Sequence, residues 1–111
     1  MDAFPERVNV VWISMTPHDG HEPVGRRPAP VLSPAAYNGM VGLAILCPIA
    51  SQVKGYPSEV LLPAGLPDDG VVLSDQAKSL DWRARRAEFA CRLPPETVRK
   101  VLLKLGTLLA A

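Results

Sequence analysis

Histidine and cysteine are scarce in this chain, and their scarcity removes several kinds of chemistry. The 111 residues hold two histidines and two cysteines. Cys47 lies in an apolar run and Cys91 at the end of a mixed one, without the spacing of metal ligands. His18 and His21 fall in one loop, too few for convincing metal ligation, and the acidic residues do not cluster with them. No metal or other cofactor is therefore expected. The longest apolar run, about residues 41–50, falls short of the roughly 20 residues that span a bilayer. No signal-peptide pattern stands out, so both cysteines are expected to be reduced, packed side chains of a cytoplasmic protein. Net charge is only +1. A polyanion-binding surface would have to come from local clustering of Arg and Lys, because global charge does not supply one. No internal repeat or low-complexity segment is present.

Twelve prolines and eight glycines favour short strands and frequent turns over a helical bundle. The chain reads as one domain over residues 1–111, with residues 1–7 a mobile lead-in. It is small enough that pairing with a second copy would help it. Residues 8–15 (Val-Asn-Val-Val-Trp-Ile-Ser-Met) are apolar on both alternating faces and predict a central strand, in a sheet that curls into a barrel or is capped by a helix. Residues 16–25 predict a long loop. A short strand follows at 31–33, then a helical turn at 34–38 with Ser33 as cap and Pro34 in the first position. Pro30 argues for an edge or a bulge. Residues 42–49 are core, 56–62 and 71–74 are strands, and 63–70 is a turn-rich connection. One helical turn is expected at 79–82, and a strand at 83–93 carrying Arg83, Arg85 and Arg86. From Pro94 or Pro95 a helix places Val98, Val101, Leu102, Leu105, Leu108 and Leu109 in one buried stripe.

Chemistry concentrates around Gly25-Arg26-Arg27-Pro28. Two adjacent guanidinium groups at the mouth of a loop suit phosphate, and Pro28 fixes the backbone beyond them. Read without context, such a pair is more often two solvated loop charges. The Arg83, Arg85 and Arg86 cluster has the same two readings, an edge kept soluble or a phosphate contact. His18 and His21 have the ordinary pKa for acid/base work but no visible partner. A Cys/His hydrolase is not supported, because an apolar setting raises the Cys47 pKa.

Other segments supply a context: Gly20-His21-Glu22, Ser33-Pro34 with Tyr37-Asn38, Cys47-Pro48-Ile49-Ala50-Ser51, Lys54-Gly55-Tyr56-Pro57 with Glu59-Val60, Leu73-Ser74-Asp75-Gln76-Ala77-Lys78-Ser79, and Trp82-Arg83-Ala84-Arg85. In this order and spacing, over about residues 8–110, the chain resembles the MazF/PemK family of toxin endoribonucleases. The resemblance implies a mainly β fold with a C-terminal helix, a small SH3-like curled barrel of the PemK/CcdB type. It implies ribosome-independent, sequence-selective cleavage of single-stranded mRNA by a homodimer, in a groove that an acidic MazE-like antitoxin also occupies. Arg27 falls at the catalytic arginine, acting with a threonine hydroxyl at the position of Ala50. Arg26, Lys54 and Lys78 are implied to hold neighbouring phosphates, and Asp75 and Gln76 to read base edges. Glu22 borders the groove, and Gly25, Ser51 and Gln52 complete the implied RNA-binding set.

A methyl group cannot donate or accept a hydrogen bond, so Ala50 departs from the pattern where it matters most. Losing one preorganised donor costs about 10²- to 10³-fold in rate, which implies an impaired enzyme. Ser51 is adjacent, but neighbours in a strand point to opposite faces unless the backbone turns. A non-catalytic RNA- or antitoxin-binding homologue is the alternative. A gyrase-poisoning CcdB-like toxin is a second, since it shares the fold, although Gly25-Arg26-Arg27-Pro28 belongs to the nuclease pattern.

Overall fold

A computed structural model describes residues 4–14, 25–66 and 69–110. The expected loop at 16–24, with His18, His21 and Glu22, lies outside the described residues, as does Met15.

The expected central strand is β1, Asn9–Ser14. Alternation sends its side chains into two cores. Val11 and Ile13 pack with Ala29, Val31, Ala44, Leu46, Leu80 and Trp82. Val10 faces a second cluster with Leu32, Cys47, Val60, Val72, Leu93, Val98 and Val101. Trp12 departs from the expectation and is 39% exposed.

β1 lies between β2 (Arg26–Pro30) and β8 (Glu88–Arg92), antiparallel to both. β3 (Leu43–Leu46) pairs with β7 (Lys78–Asp81). β6 (Val71–Leu73) lies between β4 (Ile49–Ala50) and β5 (Glu59–Leu61). The fold class is as expected, but the described strands form three separate antiparallel sheets, not a closed barrel. Proline supplies the reason: Pro28 and Pro30 in β2, and Pro48 between β3 and β4, have no N–H to continue a ladder. Single bonds make the junctions instead. Val31 bridges to Leu46, Leu32 N donates to Ile45 O at 2.8 Å, and Cys47 N donates to Pro30 O at 3.3 Å.

β2 is an edge strand of its sheet, as Pro30 suggested. Val31 N donates to Asn9 O at 2.8 Å. By alternation Pro28 and Pro30 then turn their missing donors away from β1, where none is needed.

Four local expectations shift. The strand read at 31–33 lies instead at Arg26–Pro30, with Val31 only an isolated bridge, so both arginines stand in a strand and not in a loop. Residues 79–82 are not a helical turn, because β7 runs through Asp81. Arg83, Arg85 and Arg86 occupy the turn between β7 and β8, where Asp81 Oδ1 accepts the N–H groups of Arg83 and Ala84 at 3.1 and 2.9 Å. That side-chain turn, common for Asp, ends the strand and delays the next one. The first helix, α1, is Ala35–Val41, one residue after Pro34, and its end has no side-chain cap. The Ser33 hydroxyl is engaged elsewhere, donating to Asn38 Oδ1 and accepting from Ile45 N.

Asn38 is fully buried. Its Nδ2 donates to Pro5 O at 2.7 Å and Ser33 O at 3.0 Å, and its carbonyl accepts Trp82 Nε1 at 2.9 Å. Phe4 meets Trp82 edge-on, with ring centroids 5.9 Å apart. Of residues 4–7, read as part of a mobile lead-in, Glu6 and Arg7 are exposed, Pro5 is buried, and Phe4 keeps this ring contact while 44% exposed. Gly39 makes this possible, since a Cβ there would overlap the Phe4 ring.

The C-terminal helix, α2, spans Pro95–Leu109. Its apolar stripe is only half covered: Val98 and Val101 are buried, Leu102 and Leu105 half-buried, and Leu108 and Leu109 are 59% and 76% exposed. A 15-residue helix is about 22 Å long and outruns the three-residue strands beneath it. No helix among the described residues is long and apolar enough to cross a membrane.

Two outcomes follow from this packing. Asn38→Ala strands several buried partners at once and is expected to lower unfolding free energy by about 3 kcal/mol, read as a lower urea midpoint at unchanged slope. Burial, and to a lesser degree the charge of Asp75, push the Cys47 thiol up to about 12. The thiol therefore stays protonated at pH 8, and folded protein is expected to leave Cys47 unalkylated by iodoacetamide until denaturant is added, as peptide mapping would report.

Candidate active site

Arg26 and Arg27 are neighbours in β2, so their side chains take opposite faces. Arg26 turns away from the site. Its Nη2 donates to Trp12 O at 3.1 Å, to Arg86 O at 2.6 Å and to Glu88 Oε1 at 3.1 Å. Only 15% of its side chain is exposed. It ties β1 to the β7–β8 turn and to β8, which leaves it badly placed for the phosphate contact read from the sequence.

Arg27 shares its face with Ala29 and Val31 and is exposed at the strand end. It borders an open hollow of about 400 Å³. Ile49 and Ala50 of β4 and Leu73 of β6 line the inner part, and Asp75 and Gln76 a further part. The last two belong to a single 3₁₀ turn, Ser74–Gln76, in which Ser74 is buried and its two followers are exposed.

Gly70 brings the end of β4 close to β6. Its φ is +118°, and a Cβ at that point would collide with the carbonyl oxygen of Ala50. Glycine meets both demands, since it accepts positive φ and presents no side chain to its neighbour. Ala50 pairs in register with Val71. The strand ends there and the chain bends at Ser51 and Gln52. Ser51 consequently lines the same hollow as Ala50, as does Gln52. Ser51 therefore does not follow the opposite-face rule of an unbroken strand.

The remaining wall is formed by Lys54, Tyr56, Ser58 and Glu59. The Glu59 carboxylate accepts the Lys54 N–H at 3.2 Å and the Gly55 N–H at 3.0 Å. Its own N–H donates to Tyr56 O at 3.1 Å, and Ser74 N donates to Ser58 O at 3.2 Å. Gly55, at φ +82°, lets the chain turn tightly around that carboxylate. The hollow thus presents the cations Arg27 and Lys54, the anions Asp75 and Glu59, the amide of Gln76 and an aromatic ring.

Of the residues singled out in the sequence, Arg27, Ala50, Ser51, Gln52, Lys54, Asp75 and Gln76 meet at this hollow. Gly25, just before β2, and Lys78, paired with Leu46 in β7, do not line it. Tyr56, Ser58, Glu59, Ile49 and Leu73 line it without having been singled out as site residues. For Tyr56 and Glu59 a signal existed in Lys54-Gly55-Tyr56-Pro57 and the acid that follows. Among the described residues, no group of three or more His, Cys, Asp or Glu side chains is placed to hold a metal ion.

Comparison with known proteins places this geometry. The family described as "PemK-like, MazF-like toxin of type II toxin-antitoxin system" matches residues 6–109. The endoribonuclease toxin MazF of Escherichia coli (strain K12) is 41% identical over 105 residues, covering 95% of this chain and 94% of that protein. The crystal structure of MazF from Deinococcus radiodurans (Form-I) is 54% identical, covers 99% of this chain and 100% of that one, and superposes with a TM-score of 0.88. A MazE-MazF crystal structure from the same organism (Form-II) is 50% identical over 98% of both chains, with a TM-score of 0.87. With its strands, its terminal helix and nearly its whole length matched, the chain belongs to the PemK-like, MazF-like toxin family of type II toxin-antitoxin systems.

Proposed function

We propose that the chain is the toxin of a toxin-antitoxin pair and that its hollow binds single-stranded mRNA for cleavage without a metal. The observation that carries this reading is the meeting of Arg27 with Ala50, Ser51, Lys54 and Gln76 in one open hollow, from segments far apart in sequence. In the reaction, a ribose 2′-oxygen attacks the adjoining 3′-phosphorus. The P–O5′ bond breaks, leaving a 2′,3′-cyclic phosphate and a 5′-hydroxyl. The proton of the 2′-hydroxyl leaves to solvent, and the departing 5′-oxygen takes one up.

Arg27 holds the phosphate and spreads the charge that develops on its oxygens. A guanidinium keeps its proton at any physiological pH, so Arg27 stabilises charge and donates hydrogen bonds and does not act as a base. Lys54 neutralises a neighbouring phosphate, and Asp75 and Gln76 meet the edges of unpaired bases. The working form is a homodimer, and an acidic antitoxin competes for the same hollow through Arg27 and Lys54. The MazE-MazF complex of the Deinococcus radiodurans relative supports that partner.

The methyl group of Ala50 slows the reaction, because it supplies no hydrogen bond at the point where charge develops. The same methyl favours a second reading, in which the chain holds RNA or antitoxin without cutting. Ala50→Thr separates the two. It is expected to raise cleavage of single-stranded RNA by about 10²- to 10³-fold in chelator-containing buffer, with cyclic-phosphate ends and growth arrest on expression. Absence of cleavage by the restored protein would remove the catalytic assignment. Arg27→Ala is expected to weaken binding of short single-stranded RNA and to reduce the salt slope of log Kd by about 0.7, the loss of one phosphate contact.

A further inference from the structure

We propose that Lys104, on the outer half of α2, is a positioning residue for the RNA-contacting wall of the hollow. This rests on the function proposed above. Lys104 does not line that hollow, and it forms no ion pair among the described residues. Its Nζ donates instead to two backbone carbonyls, Pro57 O at 2.6 Å and Glu59 O at 2.9 Å. These carbonyls bracket Ser58, which lines the hollow together with Glu59.

The wall needs such a tie. Residues 51–57 are all exposed and contribute no strand, so no ladder holds them. What holds them is a few single bonds, among them that of the Glu59 N–H to Tyr56 O at 3.1 Å. Glu59 grips the N–H groups of Lys54 and Gly55 through its carboxylate, while Lys104 grips the carbonyl of Glu59. A continuous path therefore runs from α2 through Lys104 and Glu59 to Lys54, and on to Tyr56, which lies 61% exposed at the wall. An ammonium suits the task because its three donors can serve two converging carbonyls, and a charged donor makes the stronger bond. A small hollow of about 160 Å³ between Pro57 and Ser58 on one side and Thr107 and Leu108 on the other adjoins the ammonium. It leaves room for a guanidinium but gives an apolar side chain nothing to bond.

Lys104 thus fixes the direction of Lys54 and Tyr56, and so the tightness of RNA binding, while the chemistry at Arg27 is untouched. The test compares Lys104→Met, Lys104→Gln and Lys104→Arg in the full chain. It reads hydrogen exchange at the Lys54 and Gly55 amides and the affinity for a pool of short randomised single-stranded RNAs. Lys104→Met is expected to speed exchange at both amides, leave exchange in α2 at Val98 and Val101 unchanged, and weaken RNA binding about tenfold. Lys104→Arg should restore most of both, and Lys104→Gln should fall between, which covers the case of a Met variant that folds poorly. Combined with Ala50→Thr, Lys104→Met should raise KM by a similar factor and leave kcat within about twofold. Unchanged exchange at Lys54 and Gly55 in a folded variant would overturn the proposal, and so would unchanged RNA affinity despite faster exchange. Should the unaltered chain bind no RNA, the proposed function fails, while the exchange measurement still decides whether Lys104 holds the wall.

Discussion

Covering β1 on both faces constrains everything else in the chain. A strand with Val11 and Ile13 on one side and Val10 on the other needs two apolar layers, and a small domain has few elements to make them. The β3–β7 pair closes one side through Ala44, Leu46 and Leu80. On the other, α2 with β5 and β6 supplies Val98, Val101, Val60 and Val72. The hollow forms where the two layers meet. Arg27 continues the row of Ala29 and Val31 from the first core, while Ile49, which lines the hollow, packs against the second.

This boundary also explains how two adjacent arginines came to different tasks. In a loop, Arg26 and Arg27 would have shared a surface. In β2 they cannot, because a strand separates neighbours by its pleat. Arg26 is turned back to brace the β7–β8 turn and the Glu88 carboxylate, and Arg27 is left exposed at the hollow. Pro28 and Pro30 keep β2 at the edge, since the donor-poor side has no N–H at those positions for a further strand to accept.

Periodicity made part of the fold legible. The doubly apolar run around Trp12, the core at residues 42–49 and the start of the terminal helix all follow from side-chain pattern and burial alone. What escaped depends on backbone bonding. Pro28 and Pro30 disguise β2, since a strand with two missing donors looks like a loop. Asp81 ends β7 with its side chain, which no period reveals, and so shifts three arginines from a strand into a turn. The sheets stop short of a closed barrel for a related reason: prolines break the ladders between sheets and leave single bonds there. In the hollow, the motif segments marked loops that line it, but the contribution of Glu59 lies in which amides its carboxylate reaches, and spacing does not carry that information.

In the function proposed above, holding RNA and cutting it are separable demands. The position of residue 50 is fixed by its backbone: the pairing with Val71, and the approach to Gly70 that only a glycine permits. Neither depends on the side chain at 50, so a methyl in place of a hydroxyl leaves the β4 end and the bend at Ser51 where they are. The wall from Lys54 to Glu59 is secured independently, by the Glu59 carboxylate and the Lys104 ammonium. In the proposed function, changing residue 50 therefore alters the donor available to the reacting phosphate while the hollow proposed to receive the RNA keeps its shape. On the function proposed above, a chain built this way loses most of its cutting power and still competes for the same partners, because the groups proposed to bind are anchored by bonds that residue 50 does not share.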